Sequence, residues 1–256
     1  MLLQLQRGII YGPIRSRRLG ASLGINLMPN KCKLCSFNCV YCHYGPTKRL
    51  AVDLVDFHDD LPALDDVVKA VDRAVRSKTA FAYLTFSGNG EPTLYPWFPE
   101  LVDEVVRLRD RYRPEVRVAL LSNSSGLVFG DVRDAVSKID LPVFKLDAGT
   151  EKKWKAINRP DKDVDFCEMV DSLTALENIY VQTVLIDGDP GNIADEDLEA
   201  YFEKLNRIRP IEAHLYSIDR PVPNTRISLV PPAKLQEIAQ RGQKPTGVKM
   251  KAFYDE

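Results

Sequence analysis

Four of the chain's five cysteines lie between residues 32 and 42, a spacing that could hold a metal. Cys35, Cys39 and Cys42 are separated by three and then two residues. A disulfide framework would spread its cysteines along the chain, whereas clustered thiolates are typical of metal sites. Thiolates so close together can wrap one iron–sulfur cluster, whose potential depends on its ligands and surroundings.

A zinc site is the alternative, because Cys32 and Cys39 each begin a Cys-x2-Cys pair and structural zinc takes four such ligands. Only residues 36–38 separate the two pairs, which is shorter than the usual zinc-ribbon gap. The local sequence therefore favours iron–sulfur. Cys32 is then a spare thiol, a packing residue or an alternative ligand. Cys167 follows an apolar helical pattern and is predicted to be buried.

Further candidate ligand-binding residues lie at the ends of predicted strands. Residues 87–92 read Ser-Gly-Asn-Gly-Glu-Pro, and such a glycine-rich turn lets backbone approach a ligand closely, although many are only tight loops. Later strand ends carry Asn123, Lys145, Asp147 and Ile218. Each polar side chain could instead cap a helix or pair with a neighbour. Lys145 and Asp147 share one face of a strand and could pair with each other.

Short apolar runs that alternate with helical patterns must position these residues. Strands are predicted over 23–28, 81–86, 116–121, 143–147, 180–186 and 213–218. Helices are predicted over 64–75, 101–108, 131–138, 166–176, 196–208 and 233–241. This alternation predicts an α/β fold, a (βα)6 partial TIM barrel with an open parallel sheet and outer helices. Ligands bind at the carboxyl ends of the strands in such folds.

One domain is expected over residues 1–256, with an N-terminal extension (1–21), a partial-barrel core (22–218) and a C-terminal segment (219–256). No apolar run approaches the ~20 residues that span a bilayer, and the N-terminus lacks the order of a signal peptide. A cytoplasmic protein without membrane contact is therefore expected. The formal net charge of -1 gives no global attraction to nucleic acid, although a local basic patch stays possible.

The motif Cys35-x3-Cys39-x2-Cys42, with Tyr41 before the last cysteine, resembles the signature of radical S-adenosylmethionine (SAM) enzymes. The resemblance implies that these cysteines bind a [4Fe–4S] cluster whose open iron takes the amino and carboxylate groups of SAM. An electron from the cluster would cleave SAM to a 5′-deoxyadenosyl radical, which abstracts hydrogen from a substrate. The cofactor carries this chemistry, while the protein orients it and excludes water.

The same resemblance assigns roles to the residues at the strand ends. The glycine turn resembles the "GGE" motif, so Gly88, Gly90 and Glu91 would meet the SAM ammonium, with Asn89 as an inserted variation. Polar groups at the later strand ends would meet the SAM ribose, carboxylate and adenine. The leading candidates are Asn123, Lys145 and Asp147, and Tyr41 and Ile218 would flank the adenine.

Residues 12–20, which read Gly-Pro-Ile-Arg-Ser-Arg-Arg-Leu-Gly, extend the similarity. The similarity runs through residues 9–218 and is to small radical SAM proteins that are grouped with the wyosine-tRNA synthases. Those synthases carry a second cluster on additional N-terminal cysteines. No cysteine precedes Cys32 here, so a second three-cysteine cluster is not expected.

Three functions follow as hypotheses. The first is a radical SAM enzyme that acts on tRNA, protein or a small molecule, with a flavodoxin or ferredoxin as electron donor. The second is an activase that places a glycyl radical on a partner enzyme. The third, from another class, is a zinc-binding nucleic-acid module built on Arg15–Arg18 and the Cys-x2-Cys pairs.

Overall fold

The computed structural model describes residues 2–254, which form two compact units. The amino-terminal unit comprises Gln4–Ser36 and Lys48–Pro142, and the carboxy-terminal unit comprises residues 2–3, 37–47 and 143–254. The boundary falls inside the cysteine segment, between Ser36 and Phe37. Across residues 2–254, no helix has both the length and the apolar character required to cross a bilayer.

In the described residues, the amino-terminal unit has four strands and three α-helices. They are β1 (Ile10–Ser16), β2 (Gly20–Ile25), α1 (Leu64–Arg76), β3 (Tyr83–Phe86), α2 (Phe98–Tyr112), β4 (Arg117–Ser122) and α3 (Gly130–Val136). The strands pair in the order β1-β2-β3-β4, in which β1 is antiparallel and the others are parallel. Leu84, Phe86, Val118 and Leu120 are fully buried, as expected of strands covered on both faces.

The carboxy-terminal unit repeats the alternation of strand and helix. Its elements are β5 (Leu141–Lys145, which begins at the unit boundary), α4 (Glu151–Asn158), α5 (Phe166–Thr174), β6 (Tyr180–Val184), β7 (Ile186–Gly188), α6 (Asp195–Ile208), β8 (Glu212–Tyr216), β9 (Ile227–Leu229), α7 (Pro232–Thr246) and β10 (Lys249–Phe253). The strands β5, β6, β8 and β10 are parallel neighbours in that order, and β7 and β9 form a separate antiparallel ladder.

Local chemistry explains several helix ends. The side chain of Thr150 accepts a hydrogen bond from the Lys153 N–H at the start of α4 (3.3 Å), and Asp165 does the same for α5. The helix α6 is followed by Arg209, whose φ of +53° lies in the left-handed region. Short 3-10 helices occupy Val55–Asp60, Pro92–Leu94 and Ser125–Val128.

The α/β alternation is confirmed, with a parallel sheet section in each unit, but one predicted strand is wrong. The predicted strand 180–186 is interrupted at Leu185, because the Asn192 side chain forms hydrogen bonds with the backbone of the residue before it and of the residue after it. Its Nδ2 donates to Val184 O (2.9 Å), and its Oδ1 accepts from Ile186 N (2.8 Å). Ile186 therefore begins β7 in the other ladder.

The sequence pattern also missed four of the α-helices and strands among residues 2–254, besides the short 3-10 helices. These are β1, α4, β9 and β10. Cys167, predicted to be buried, is exposed because Phe166, Met169, Val170 and Leu173 form the buried face of α5.

Candidate functional site

The glycine turn is fastened by backbone bonds to the residue that precedes Cys35. Leu34 N donates to Asn89 O, and Glu91 N donates to Leu34 O, both at 3.1 Å. Gly90 lies between them with a φ of +155°, and a Cβ there would come within 1.4 Å of Leu34 O. Only glycine permits this approach, so the turn positions the cysteine segment of the amino-terminal unit.

The Asn89 side chain, expected to contact SAM, is occupied by structural hydrogen bonds. It is fully buried, its Nδ2 donates to the carbonyls of Gln6 (2.9 Å) and Pro29 (3.0 Å), and its Oδ1 accepts from Gln6 N (2.7 Å). Its backbone N–H donates to Asn26 Oδ1 (2.9 Å), which also lies against Gly88. Asn89 therefore stiffens the turn through its side chain.

Glu91 is a buried hydrogen-bond acceptor. Its Oε1 accepts from Thr93 N (3.1 Å), Thr93 Oγ1 (2.7 Å) and Ser122 Oγ (2.8 Å), and its Oε2 accepts from Asn123 N (2.6 Å). Burial raises the pKa of Glu91, while the hydrogen bonds from Asn123, Thr93 and Ser122 oppose that rise. The carboxylate thus joins the turn after β3 to the end of β4.

Asn123 contacts a cysteine sulfur. Its Nδ2 lies 3.4 Å from Cys35 Sγ and 2.8 Å from Ser36 Oγ, and its Oδ1 accepts from Ser125 N (2.9 Å). Ser124 follows with a φ of +80°, which turns the chain into the 3-10 helix Ser125–Val128. Every polar atom of the Asn123 side chain is therefore engaged within the amino-terminal unit.

The rest of the cysteine segment is fastened to the carboxyl end of α4. Asn38 N donates to Asn158 O (3.0 Å), and Val40 N donates to Ile157 O (2.9 Å). These carbonyls have no partner inside the helix, so the segment satisfies them. Cys42 N donates to Cys39 O (3.1 Å), which closes a turn between the last two cysteines.

Asn158 contacts the second cysteine sulfur. Its Nδ2 lies 2.6 Å from Asp147 Oδ2, 3.3 Å from Tyr41 Oη and 3.4 Å from Cys39 Sγ. The residue is fully buried, and its Oδ1 has no hydrogen-bond partner among residues 2–254. Asn158 is not among the candidate residues that the sequence analysis placed at the strand ends.

Tyr41, Lys145 and Asp147 form one buried network with Asn158. The Tyr41 hydroxyl donates to Asp147 Oδ2 and accepts from Lys145 Nζ (2.8 Å), which lies 3.8 Å from Asp147 Oδ2. Asp147 Oδ1 accepts from Val184 N (2.9 Å). The alternative that Lys145 and Asp147 pair with each other is thus confirmed, and Tyr41 bridges them.

Burial and the neighbouring charges set the ionisation of this network. Burial raises the pKa of Tyr41, and the carboxylate of Asp147 raises it further. Burial acts to lower the pKa of Lys145, but Asp147, Tyr216 and Cys39 outweigh it and the pKa rises. Burial also raises the pKa of the Cys39 thiol, against the opposing effects of Lys145 and the Asn158 hydrogen bond.

The structure places Ile218 and Tyr41 in the same apolar cluster. Both belong to a buried apolar cluster with Val40, Ile157, Val184, Ile186 and Ile227. No disulfide bond joins any of the five cysteines within residues 2–254. Within residues 2–254, no three His, Cys, Asp or Glu side chains are arranged as a ready site for one metal ion.

A protein-family model described as "Radical SAM superfamily" matches residues 30–209. A UPF0026 protein of Methanocaldococcus jannaschii is 34% identical over 222 residues, 83% of this chain and 64% of that protein. A protein of Brachyspira hyodysenteriae named GTPase Obg is 30% identical over 221 residues, 85% of this chain and 31% of that protein. The chain thus spans less than two thirds of the length of either relative.

A solved structure of TYW1 with a lysine–pyruvate adduct bound shares the fold. Its TM-score is 0.59, and it is 16% identical over 89% of this chain and 75% of that one.

Proposed function

This chain belongs to the Radical SAM superfamily. From that membership we propose that it is an enzyme that uses SAM and that Cys35, Cys39 and Cys42 hold its [4Fe–4S] cluster. Membership also confirms the predicted fold class, the α/β partial TIM barrel of the radical SAM core. The spacing Cys35-x3-Cys39-x2-Cys42 is the observation that carries the proposal.

The donor chemistry of these residues suits such a cluster, in which each thiolate would bind a different iron and the three sulfurs need not converge on one ion. The three cysteines are not joined in disulfides, and the sulfurs of Cys35 and Cys39 each lie 3.4 Å from an asparagine amide nitrogen that can stabilise negative charge on them. When bound, the cluster supplies the electron that cleaves the sulfonium bond of SAM. The chain's own groups hold the cluster and SAM, orient them and exclude water.

For SAM, we propose that the turn of Gly88, Asn89, Gly90 and Glu91 acts through its backbone. The side chains of Asn89 and Glu91 are buried and hydrogen-bonded, which supports a role in holding the turn in place. Backbone carbonyl oxygens of the turn would then accept hydrogen bonds from the SAM ammonium.

On the carboxy-terminal unit, we propose that Lys145 binds the SAM carboxylate. Its side chain is 15% exposed, whereas that of Asp147 is fully buried, so Lys145 is the charged group that a ligand can reach. Asp147 would orient Lys145 and Tyr41. The ring of Tyr41 and the methyl groups of Ile218, which share one apolar cluster, would flank the adenine.

Anaerobic reconstitution with iron and sulfide tests the proposal. We expect about four irons and four sulfides per chain and, after reduction with dithionite, conversion of SAM to 5′-deoxyadenosine measured by liquid chromatography. Replacing Cys35, Cys39 or Cys42 by Ala should abolish both. The exposed Cys167→Ala variant is the matched control and should retain both.

Two results would overturn the proposal. One is a fully loaded, reduced protein that forms no 5′-deoxyadenosine. The other is one zinc per chain without iron or sulfide, which would favour the zinc-binding alternative.

We propose tRNA as the first substrate class to test, with a flavodoxin or ferredoxin as the electron donor. The proposal rests on the similarity of residues 9–218 to the small proteins grouped with wyosine-tRNA synthases. Mass spectrometry of tRNA nucleosides after incubation with the reduced enzyme and SAM should show a new modified nucleoside. An unchanged tRNA pool, with deoxyadenosine formed only when a peptide or metabolite is added, would reject tRNA.

A further inference from the structure

Two buried asparagines each donate a side-chain N–H to the sulfur of a cysteine. Asn123 Nδ2 lies 3.4 Å from Cys35 Sγ, and Asn158 Nδ2 lies 3.4 Å from Cys39 Sγ. Asn123 is 5% exposed and Asn158 is fully buried, so water does not compete for either amide. The same contact thus occurs once in each unit.

The direction of the Asn123 amide is fixed by its neighbour. The Ser125 backbone N–H can only donate, so the atom it meets at 2.9 Å must be the Asn123 carbonyl oxygen. The Nδ2 group is therefore turned towards Cys35 Sγ and Ser36 Oγ. A rotation of the amide by half a turn would place two acceptors against each other at the cysteine.

The direction of the Asn158 amide is fixed by charge. Asp147 Oδ2 lies 2.6 Å from Nδ2, and this oxygen also accepts from Tyr41 and lies 3.8 Å from the Lys145 ammonium. An acceptor in that place requires the N–H side of the amide. Cys39 Sγ consequently also faces an N–H donor.

We propose that Asn123 and Asn158 are positioning residues that raise the reduction potential of the cluster by donating N–H···S hydrogen bonds to Cys35 and Cys39. The inference rests on the proposed function. Reduction adds one electron, taken from a low-potential one-electron donor such as a reduced flavodoxin, and places more negative charge on the cluster sulfurs. Hydrogen bonds to those sulfurs stabilise the reduced form more than the oxidised form, which raises the potential.

Leucine replaces asparagine with a side chain of similar shape that cannot donate. We expect Asn123→Leu and Asn158→Leu each to lower the equilibrium constant for one-electron reduction about tenfold. This corresponds to a reduction potential that is lower by about 59 mV, measured in a redox titration followed by electron paramagnetic resonance. The matched control is Asn38→Leu, which removes a hydrogen bond from Thr47 N to Asn38 Oδ1 (2.8 Å) in the same segment and leaves both amide donors in place. Its potential should equal that of the parent protein.

Iron and sulfide are counted first, so that only fully loaded samples are compared. Equal potentials in the parent protein and in both leucine variants would overturn the inference and leave SAM cleavage standing. A parent protein that binds no cluster would overturn both.

A second measurement needs no substitution. Protein labelled with ¹⁵N in its asparagine side chains should show ¹⁵N coupling to the reduced cluster in pulsed electron paramagnetic resonance. The absence of any such coupling in the loaded parent protein would overturn the inference even if a leucine variant failed to fold.

Discussion

At the scale of single residues, two buried carboxylates organise the candidate site. Glu91 accepts hydrogen bonds from Thr93, Ser122 and Asn123. Asp147 accepts hydrogen bonds from the Tyr41 hydroxyl, the Asn158 amide and the Val184 backbone N–H. Buried carboxylates with so many donors hold their surroundings in one arrangement. Each carboxylate also orders an asparagine that contacts a cysteine sulfur, because Glu91 binds the Asn123 N–H and Asp147 binds the Asn158 amide.

The variant Glu91→Gln should destabilise the protein by about 1–3 kcal/mol, because the amide nitrogen would face N–H or O–H donors and leave at least one buried group unsatisfied. Urea unfolding followed by circular dichroism measures the change. Glu177→Gln is the control, because Glu177 is exposed, and it should shift stability by less than about 0.5 kcal/mol. Equal unfolding midpoints for the two variants would contradict the role given to Glu91.

Sequence reasoning at this scale found residue types better than contacts. It predicted that Lys145 and Asp147 could pair, since residues two apart on a strand share a face. It could not assign Asn123 or Asn158 to sulfur, because their cysteine partners are 88 and 119 residues away in the chain. Only the folded backbone determines such distant pairs.

At the scale of elements, α4 supports the second half of the cysteine segment. Its last carbonyls accept the N–H groups of Asn38 and Val40, and its Trp154 ring packs edge-on to Phe37, with centroids 5.5 Å apart. The centroid of the Trp154 ring also lies 5.3 Å from that of Phe166 in α5. Trp154 therefore joins the helix pair to the cysteine segment.

The variant Trp154→Ala should destabilise the protein by about 3–5 kcal/mol, because it empties a site that is only 1% exposed. Chemical denaturation checks this value. Trp97→Ala serves as the matched control, because Trp97 is only half-buried, and it should cost clearly less. A Trp154 variant as stable as the Trp97 variant would show that α4 tolerates the cavity.

The glycine turn makes a corresponding prediction for the amino-terminal unit. Gly90→Ala should cost more than about 3 kcal/mol, because its Cβ would overlap Leu34 O in addition to adopting a disfavoured φ. Gly20→Ala isolates the backbone effect, since Gly20 has a φ of +70° and a Cβ there would meet no neighbouring atom within 4 Å. It should cost about 1–2 kcal/mol in thermal unfolding. Equal costs would mean that Leu34 moves aside.

At the scale of the whole molecule, the strand and helix alternation was predictable because buried strands read as apolar runs. The elements that were missed lack that signal. Five of the seven residues of β1 are exposed or carry no apolar side chain, and α4 buries only Trp154, Ile157 and Asn158 among charged neighbours. Pattern reasoning therefore recovers the core strands and overlooks the short elements that position the site.

SAM should stabilise the loaded protein as a whole. At a concentration one hundred times its Kd, a ligand that binds only the folded state contributes about 2.7 kcal/mol, which raises the Tm of a chain of this size by about 5–10 °C. Anaerobic calorimetry measures the shift. The cluster-free Cys42→Ala protein is the control and should show a much smaller shift, because it lacks the iron that SAM would chelate. Equal shifts would place SAM binding elsewhere.

The left-handed residue that follows α6 has a practical consequence. Arg209 is exposed and holds its conformation against steric crowding that a glycine would avoid, and it lies in sequence far from both sulfur-bonded asparagines. Position 209 therefore offers a route to a more heat-tolerant preparation. The substitution Arg209→Gly would remove that crowding and leave unchanged every residue proposed to hold the cluster or SAM.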